Sequence, residues 1–501
     1  MLNSEITNKI RNKAYLDKIV TINEATSWIK DKMVIAVSGF ALFGEPKYFL
    51  EKLAERGEKE SFKIDLYTGA SMGPSADGAM VSAGLINKRM PYQAHPISRK
   101  EINDREIQYI DEHLSQTGDT IRQGVYGPID YAIIEASAIT EDGKIILSGS
   151  VGNSPIFAEK AKNIIIELNL NLPDEYEGIH DIYIPDTQGL RKEIPLNNVN
   201  EKIGDIGLDI DINKVKGIVI SRENDTPSPL FPPTIETQKI ADHLLQFLDD
   251  EIIAGRLTKE LAPIQSGVGS VANAVLSGMK DSGYKDIVVS SEVLQDGMFD
   301  LIEAGVVKFV SATAFSLSQA RCDTLKEDLK KHHDKILFRP QEISNHPEVI
   351  RRLGVIAFNT AIECDIYGNV NSTHLNGTHI MNGIGGSGDF TRNAKISIFV
   401  TESTAKAGKI STIVPFASHI DHPNHDVDII ITEQGYADLR GLSPREAAKL
   451  IIKNCVHPSF KEQANDYFNE ACKTGGHTPH ILNKAFNWHI NLKENGTMLL
   501  N

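Results

Sequence analysis

The sequence predicts an α/β fold built from two related open domains with mainly parallel sheets. Short runs of β-branched residues recur along the chain, and a glycine turn and a helical pattern follow them. The runs are nearly continuous in apolar residues, which is typical of parallel strands buried on both faces. Their alternation with amphipathic helices indicates sheets covered by helices. The predicted strands span residues 33–40, 131–139, 163–170, 217–221, 286–293, 306–312, 396–402 and 427–435, and the clearest predicted helices span 45–57 and 234–255.

The clearest break in this pattern is a proline-rich segment near the middle of the chain. Four prolines fall between Pro227 and Pro233, and such a run continues neither a strand nor a helix. We therefore predict a linker at 223–234 between domains 1–222 and 235–501, each long enough to form its own core. The halves share a faint strand, glycine loop and helix pattern, which indicates duplication.

Composition excludes several classes of protein. Acidic residues outnumber basic ones, 67 to 52, and the net charge of −15 argues against binding nucleic acid or an anionic membrane. No run approaches the 18 apolar residues of a membrane span, and the first 20 residues lack the core of a secretory signal. The four cysteines form no CxxC pair or disulfide framework. We expect a cytoplasmic enzyme.

Two glycine-rich segments are candidates for binding an anion. GVGSVAN (267–273) follows a short apolar run and opens a helical pattern, so its backbone N–H groups suit a phosphate, although a tight strand-to-helix turn explains the pattern equally well. GIGGSG (383–388) matches G-x-G-x-x-G in full, but the preceding THIMNG does not read as a strand, and a dinucleotide site therefore fails its context test. Its amides still suit a ligand or an oxyanion.

Glu292 is the sharpest catalytic candidate. It ends the apolar run DIVVSSE, and ligands of open α/β sheets gather outside the carboxyl ends of strands. Partial burial there raises the pKa of a carboxyl and makes its ionised form a better nucleophile. A solvated charge or a helix cap is the plainer explanation for Glu292 alone. Glu433 in ITEQG repeats the pattern, and the pattern does not exclude it.

The histidine run His419, His422 and His425 resembles a set of metal ligands. Pro423 prevents a helix there, so the three side chains would not share one face, and the spacing matches no zinc motif. We predict no metal site and a polar loop near the active site instead.

Several long strings resemble the acetyl-CoA hydrolase/transferase family, which comprises class I CoA-transferases. The similarity covers roughly residues 15 to 470, and its order and length make it specific. It implies the CoA-transferase (NagB/RpiA-like) fold with the active site in the cleft between two domains. The strings are PYQAHPISRKEIN, IIEASAITEDGKI, SVGNSPIFAEKAKNIIIELN, GVGSVANAV, SSEVLQDGM, EISNHPEVIRRLGVIAFNTAIECDIYGNVNSTH, GIGGSGDFTRNA and VPFASHIDHPNHDVDIIITEQGYADLRGLSPREAA.

The resemblance implies roles for individual residues. Glu292 matches the catalytic glutamate, and Asn345 in EISN matches a polar residue that faces the acyl group. One departure from the family is ALFGEP (41–46), where relatives often carry more glycine and serine. The pocket for the acyl group can therefore differ from that of other family members. The CoA-binding matches are Gly267, Val268, Gly269, Ser270 and Val271 in the glycine loop, Asn382, Gly386 (which also belongs to the oxyanion-hole segment) and Lys406.

The implied reaction moves CoA between an acyl-CoA and a small carboxylate through a glutamyl-CoA thioester. Succinyl-CoA and acetate are the favoured pair, CoA is a substrate, no prosthetic group is expected, and a homodimer is implied. An acetyl-CoA hydrolase that uses the same site is the main alternative. A further alternative is a non-catalytic CoA or nucleotide-binding protein, which Glu292 and the GGSG segment together disfavour. A nicotinamide-dependent dehydrogenase is disfavoured more strongly still.

Overall fold

A computed structural model describes residues 4–71, 73–229 and 231–500. The chain divides into two compact units that are not continuous in sequence. Unit 1 consists of Met1–Pro229, Val289–Asp296 and Phe309–Arg352, and unit 2 consists of Leu230–Val288, Gly297–Lys308 and Leu353–Asn501. The linker at 223–234 and the domains 1–222 and 235–501 were predicted as continuous segments of sequence, and they stay a prediction. Leu230, within that linker, lies outside the described residues.

The N-terminal segment of unit 1 forms a sheet in the order β4-β3-β2-β1-β5-β7-β8. Neighbours in this order run parallel, and β6 pairs antiparallel with β5. All nine residues of β5 are buried, as its unbroken apolar run predicts. The strands are β1 Val34–Val37, β2 Ile64–Tyr67, β3 Ile86–Met90, β4 Gln108–Tyr109, β5 Tyr131–Ile139, β6 Ile145–Leu147, β7 Asn163–Asn169 and β8 Val215–Ser221.

Helices cover this sheet through apolar stripes. In the predicted helix at 45–57, Phe49, Leu50 and Leu53 recur at helical spacing and are fully buried. The α-helices are α1 Ser4–Lys9, α2 Ile22–Ser27, α3 Lys47–Gly57, α4 Pro96–Asn103, α5 Leu114–Arg122 and α6 Ser154–Lys160, with 3-10 helices at Lys13–Lys18, Asp174–Tyr176 and Ile212–Lys214 and a π-helix at Pro74–Met80.

The second half of the chain contributes strands to both units. In unit 2, β9, β15, β20, β24 and β25 lie side by side; the first four run parallel and β25 is antiparallel. The strands are β9 Ile264–Ser266, β10 Ile287–Ser290, β11 Val293–Gln295, β12 Val307–Ala312, β13 Ala314–Ser316, β14 Ile336–Phe338, β15 Ile356–Thr360, β16 Glu363–Asp365, β17 Val370–Asn371, β18 His374–Leu375, β19 His379–Ile380, β20 Ile396–Val400, β21 Thr404–Ala405, β22 Ile410–Ser411, β23 Ile413–Val414, β24 Ile429–Thr432 and β25 Gly435–Asp438.

The helices of the second half begin with the predicted one at 234–255. Its N-terminus is capped by Thr234, whose hydroxyl accepts a hydrogen bond from the Thr237 amide. The helices are α7 Ile235–Ile253, α8 Ser270–Met279, α9 Asp296–Glu303, α10 Gln319–His332, α11 Gln341–Ser344, α12 Pro347–Leu353, α13 Ser387–Asn393, α14 Pro444–Asn454, α15 Pro458–Lys473 and α16 Asn487–Asn495, with a 3-10 helix at His333–Lys335. Among the described residues, no helix is long and apolar enough to cross a membrane.

The predicted α/β class with mainly parallel sheets is confirmed. Two local predictions were wrong. The strand predicted over 286–293 is interrupted, because β10 ends at Ser290 and β11 begins at Val293. The segment THIMNG, which did not read as a strand, contains the two-residue β19, paired antiparallel with β18. Two residues are too few to produce a periodic signal in the sequence.

Candidate active site

Glu292 occupies the interruption between β10 and β11, in unit 1. Its backbone carbonyl accepts hydrogen bonds from the amides of Thr313 (2.9 Å) and Ala314 (3.2 Å), while the Ser291 amide donates to Ser311. Two amides that converge on one carbonyl redirect the chain, so the strand breaks where the functional side chain emerges. The sheet therefore fixes the backbone of Glu292 on both sides.

The Glu292 carboxylate is partly buried and receives a side-chain hydrogen bond from Asn345, whose Nδ2 lies 3.0 Å from Oε1. Burial raises the pKa of Glu292 to about 7, and the Asn345 hydrogen bond opposes the rise. A carboxyl of this kind is ionised for a large part of the time near neutral pH, yet it is less stabilised than a solvated carboxylate. This is the condition that favours a carboxylate nucleophile.

Asn345 is fully buried at the C-terminal end of α11, and its backbone N–H donates to the Gln341 carbonyl. The same short helix carries Glu342, which forms a two-pronged ion pair with Arg122 of α5 at 2.6 and 2.7 Å. Both side chains of this pair are at most 5% exposed. The pair anchors α11, and with it the Asn345 amide, to the N-terminal part of unit 1.

An apolar cluster surrounds Val293, the residue after Glu292. It contains Phe40 and Ala41, so the unusual ALFGEP segment packs beside the catalytic candidate. Tyr92 is packed against the same cluster, and its pKa is raised well above the ordinary value by burial and by the charge of Glu292. Tyr92 therefore keeps its proton at neutral pH. The remaining members are Ala70, Leu114 and Ala314.

A close approach of three loops shapes this part of unit 1. A Cβ atom on Gly69 would lie 2.5 Å from the carbonyl oxygen of Gly39, so no larger residue fits without movement of the backbone. The Gly152 amide donates to the Thr313 hydroxyl at 3.1 Å, and that hydroxyl donates to the Arg339 carbonyl. These contacts tie the loops of the N-terminal sheet to Thr313, which lies between β12 and β13 and whose amide donates to the Glu292 carbonyl.

The glycine loop lies in unit 2, where β9 ends at Ser266 and α8 begins at Ser270. The predicted strand–loop–helix arrangement is confirmed. Gly269 caps the helix with a φ of +117°, a conformation that favours glycine, and Val268 is half exposed. The loop thus leads directly into a ten-residue helix; Gly267, Ser270 and Val271 are partly buried, and the Gly267 amide donates to the Phe358 carbonyl at 3.3 Å.

Asn382, Gly386 and Lys406 also lie in unit 2. The Asn382 amide donates to the carbonyls of Ser372 (3.1 Å) and Gly383 (2.9 Å), which fixes the start of the GIGGSG segment. Gly386 immediately precedes α13. Lys406 is exposed in the turn between β21 and β22, with a φ of +49°, so its ammonium group is accessible to solvent.

Glu433 follows β24 in unit 2, and its surroundings differ from those of Glu292. Its carboxylate accepts hydrogen bonds from the Ser403 amide (2.7 Å), the Ser403 hydroxyl and the Gln434 side chain (2.9 Å). Burial alone would raise its pKa, but these hydrogen bonds outweigh burial and the pKa is lowered. Glu433 is a well-stabilised anion that links two loops.

The histidine run does not act as a unit. His422 is buried, with Nε2 3.0 Å from the Ser372 hydroxyl and 3.3 Å from that of Ser387, whereas His425 is exposed. His419 faces Asp421, with Nε2 3.2 Å from Oδ1. Each histidine of the run therefore has different surroundings.

Comparison with known proteins places this geometry in a family. The acetyl-CoA hydrolase/transferase N-terminal domain model matches residues 2–227, and the corresponding C-terminal domain model matches residues 323–468. The chain belongs to the acetyl-CoA hydrolase/transferase family. It is 48% identical to a succinyl-CoA:acetate CoA-transferase of Clostridium kluyveri over 98% of this chain and 92% of that protein. It is 40% identical to an acetyl-CoA hydrolase of Kluyveromyces lactis over 98% of both chains.

Solved structures support the same fold for this acetyl-CoA hydrolase/transferase chain. The crystal structure of RipA from Yersinia pestis superposes with a TM-score of 0.71 at 24% identity, over 92% of this chain and 98% of the other. A 4-hydroxybutyrate CoA-transferase from Porphyromonas gingivalis superposes with a TM-score of 0.64 at 21% identity, over 91% and 99%. At these identities the structures establish the fold alone, and it is the CoA-transferase fold.

The structure brings together Glu292 and Asn345 among the residues predicted from the sequence. Sequence reasoning missed the ion pair of Arg122 with Glu342 and the placement of Tyr92. The string EISN contains Glu342 next to the residues already singled out, but its partner lies 220 positions earlier in the chain. No spacing rule connects residues so far apart.

Proposed function

We propose that this chain is a CoA-transferase that moves CoA from succinyl-CoA to acetate, with Glu292 as the covalent nucleophile. The observation that carries the proposal is the half-buried Glu292 carboxylate, held by Asn345 at 3.0 Å with its pKa raised to about 7. The name of the Clostridium kluyveri relative supports the substrate pair. The name of an Escherichia coli relative, a propanoyl-CoA:succinate CoA transferase, supports the same reaction type.

The proposed reaction begins when a carboxylate oxygen of Glu292 attacks the thioester carbonyl of succinyl-CoA. The C–S bond breaks, and a succinyl-glutamyl anhydride and CoA thiolate result. The thiolate then attacks the glutamyl carbonyl, which releases succinate and leaves a glutamyl-CoA thioester. Acetate attacks that thioester, and the displaced thiolate takes the acetyl group from the new anhydride, so that acetyl-CoA leaves and the Glu292 carboxylate is restored.

Each attack creates a negatively charged oxygen that needs a hydrogen-bond donor. In unit 1, the buried Asn345 side-chain amide is a suitable donor, since it already contacts the Glu292 carboxylate at 3.0 Å. The proposal keeps the roles implied by the family for Gly386 in the oxyanion-hole segment and for Asn382 and Lys406 in CoA binding. It also keeps the glycine loop 267–271 as a CoA-binding element, because the loop leads into the N-terminus of α8 and a helix N-terminus suits a phosphate group.

The decisive experiment looks for the covalent intermediate. Wild-type protein is mixed with succinyl-CoA in the absence of acetate, digested, and examined by mass spectrometry for CoA attached to the peptide that contains Glu292. We expect the adduct in the wild type and in Glu433→Gln, and none in Glu292→Ala, with ping-pong kinetics for the full reaction. An active Glu292→Ala enzyme, or an adduct at another residue, would overturn the assignment.

A hydrolase is a second candidate, because relatives at 40% identity are named acetyl-CoA hydrolases. The same glutamyl-CoA thioester would then be released to water. The two candidates are distinguished by measuring CoA and acyl-CoA products with and without added acetate. We expect acetyl-CoA to form at the expense of free CoA when acetate is present. Free CoA release that acetate leaves unchanged would identify a hydrolase.

The substrate pair is tested separately from the mechanism. A panel of acetyl-, propanoyl-, butanoyl- and succinyl-CoA is assayed against the corresponding carboxylates, and succinyl-CoA with acetate is expected to give the highest kcat/KM. The proposal also includes a homodimer, as the family resemblance implies, in the cytoplasm and without a prosthetic group. Analytical ultracentrifugation should give a mass close to twice 55.2 kDa.

A further inference from the structure

Two histidines and an aspartate meet in unit 2, in a part of the chain that the proposed reaction does not use. His374 lies on β18, and His419 and Asp421 lie on the loop after β23. One ligand atom from each of the three lies within 4.8 Å of the others, and the imidazole rings of His374 and His419 are 3.9 Å apart between centroids. All three residues are partly buried, so the cluster is partly accessible to solvent.

Thr373 determines which nitrogen of His374 carries the proton. Its hydroxyl oxygen lies 2.9 Å from each carboxylate oxygen of Asp421 and 2.7 Å from Nδ1 of His374. A carboxylate only accepts hydrogen bonds, so the single hydroxyl proton goes to Asp421. The hydroxyl then accepts from His374, which puts the proton on Nδ1 and leaves the lone pair of Nε2 available to a ligand.

The Asp421 carboxylate is held in the orientation that a metal needs. The Ser372 amide donates to Oδ2 at 2.7 Å, while Oδ1 faces Nε2 of His419 at 3.2 Å. Zinc bonds of about 2.0–2.2 Å in tetrahedral geometry separate two ligand atoms by about 3.3–3.5 Å. The observed separation is therefore close to that of two ligands on one ion, and the hydrogen bonds of Ser372 and Thr373 support the carboxylate from behind.

We propose that His374, His419 and Asp421 bind one Zn²⁺ ion, with water in the fourth position. Imidazole nitrogens select zinc over magnesium or calcium, which prefer oxygen ligands alone. The site escaped the sequence analysis because the histidine run supplies only one ligand from its three histidines, and the second histidine comes from 45 positions earlier.

The site joins a hairpin to a loop beside the GIGGSG segment. Ser372, two positions before His374, accepts the Asn382 amide at its carbonyl, and its hydroxyl contacts His422. His422 in turn contacts the Ser387 hydroxyl. Zinc would therefore brace the hairpin β18–β19 against the loop at 415–426, independently of whether the chain transfers CoA.

The test is Zn²⁺ binding by the full-length protein after treatment with a chelator, measured by isothermal titration calorimetry and by metal analysis after gel filtration. We expect about one ion per chain in the wild type. His425→Ala is the matched control, because it removes an exposed histidine of the same loop, and it should bind like the wild type. Thr373→Val should weaken binding by about 10–100-fold, since it removes the hydroxyl that orients two ligands.

His419→Gln removes a ligand whose side chain is 38% exposed, so this variant keeps its fold more readily than one at a buried position. It should lose the tight binding event, and it should also lack the visible absorption of tetrahedral Co²⁺ that we expect with the wild type. The proposal is wrong if the wild type takes up no zinc. It is equally wrong if His419→Gln, with an unchanged circular dichroism spectrum, binds zinc with the same stoichiometry and affinity as the wild type.

Discussion

Glu292 and Glu433 occupy the same kind of position in the sequence, since each follows a buried strand of a parallel sheet. Their surroundings differ. Glu292 receives one side-chain hydrogen bond, from Asn345, and burial raises its pKa to about 7. Glu433 receives three, from Ser403 and Gln434, and its pKa is lowered. The supply of hydrogen-bond donors, rather than the strand end itself, separates a reactive carboxylate from a structural one.

The largest effect is expected from Glu292→Ala, which removes the proposed nucleophile. Transferase activity should fall by at least about 10⁴-fold, while CoA should still bind, because the proposed CoA contacts, the glycine loop and Lys406, are unchanged. Glu433→Gln is the matched control and should keep activity within about 10-fold of the wild type. Steady-state kinetics and CoA binding by calorimetry check both variants. Equal losses of transferase activity in the two variants would contradict the assignment of Glu292 as the nucleophile and Glu433 as a structural residue.

Asn345→Ala should produce the second-largest loss. It removes a buried donor beside the nucleophile, and the loss of one oxyanion donor typically lowers kcat by about 10²–10³-fold. The effect should appear in kcat more than in KM. Ser403→Ala provides the comparison, since it removes a donor to Glu433, and its kcat should stay within about 10-fold of the wild type. A wild-type kcat in Asn345→Ala would contradict the role of the amide.

Glu342→Gln breaks the buried ion pair that anchors α11 and should affect both stability and turnover. Removing one partner of a buried pair costs up to about 3–5 kcal/mol in free energy of unfolding, because the Arg122 charge stays buried and keeps only the longer contacts with Asp119 (3.5 Å) and Glu159 (3.9 Å). We expect kcat to fall by about 10-fold, since Asn345 sits at the end of the same helix. Urea unfolding and kinetics measure the two effects. Unchanged stability would show that the pair does not hold α11.

The pH dependence of kcat/KM should report Glu292. Only its ionised form attacks a thioester, so kcat/KM should increase with pH and reach half of its maximum at about pH 7. Below that pH it should fall about 10-fold per pH unit. Glu433→Gln should share this midpoint. In Asn345→Ala the midpoint should move upwards, because the hydrogen bond that lowers the Glu292 pKa is lost. A profile that stays flat down to pH 5 would contradict the raised pKa.

The smallest effect concerns stability. The pKa of Glu292 in the folded chain is above its ordinary value of 4.5, so its favourable contribution is complete below about pH 4.5 and is lost as the pH rises to about 7. At pH 8, Glu292→Gln should therefore have a free energy of unfolding about 1–3 kcal/mol higher than the wild type, measured by urea unfolding. At pH 4 the two should agree. A less stable variant at pH 8 would contradict the desolvation of Glu292.

The fold was accessible from the sequence because apolar runs and helical periodicity are local. The predicted helix at 234–255 is α7, Ile235–Ile253, and the predicted strand at 396–402 contains β20, Ile396–Val400. The break at Glu292 was not accessible, since no glycine or proline interrupts DIVVSSEV and the cause of the break lies in amides from residues 313 and 314. Periodicity describes which residues are buried, and it is insensitive to where a strand bends.

The candidate site was accessible only in part. Glu292 and Asn345 could be proposed because family strings surround them, and the structure places them in contact. Arg122 could not be proposed, because its pairing with Glu342 depends on how α5 and α11 pack. His374 is a second case, since only the folding of the β18–β19 hairpin brings it to His419. Contacts that tertiary packing creates leave no trace in local spacing.

The discontinuous make-up of unit 1 has a consequence for synthesis of the protein. Its sheet ends with residue 221, but the segments that carry Glu292 and Asn345 are completed only at Arg352. At about 5–20 residues per second, the ribosome delivers Arg352 roughly 6–25 s after Pro229. During that interval the nascent chain exposes apolar surface, including the cluster around Phe40, that later segments will cover. A chaperone that binds exposed apolar surface can act on the chain in that interval.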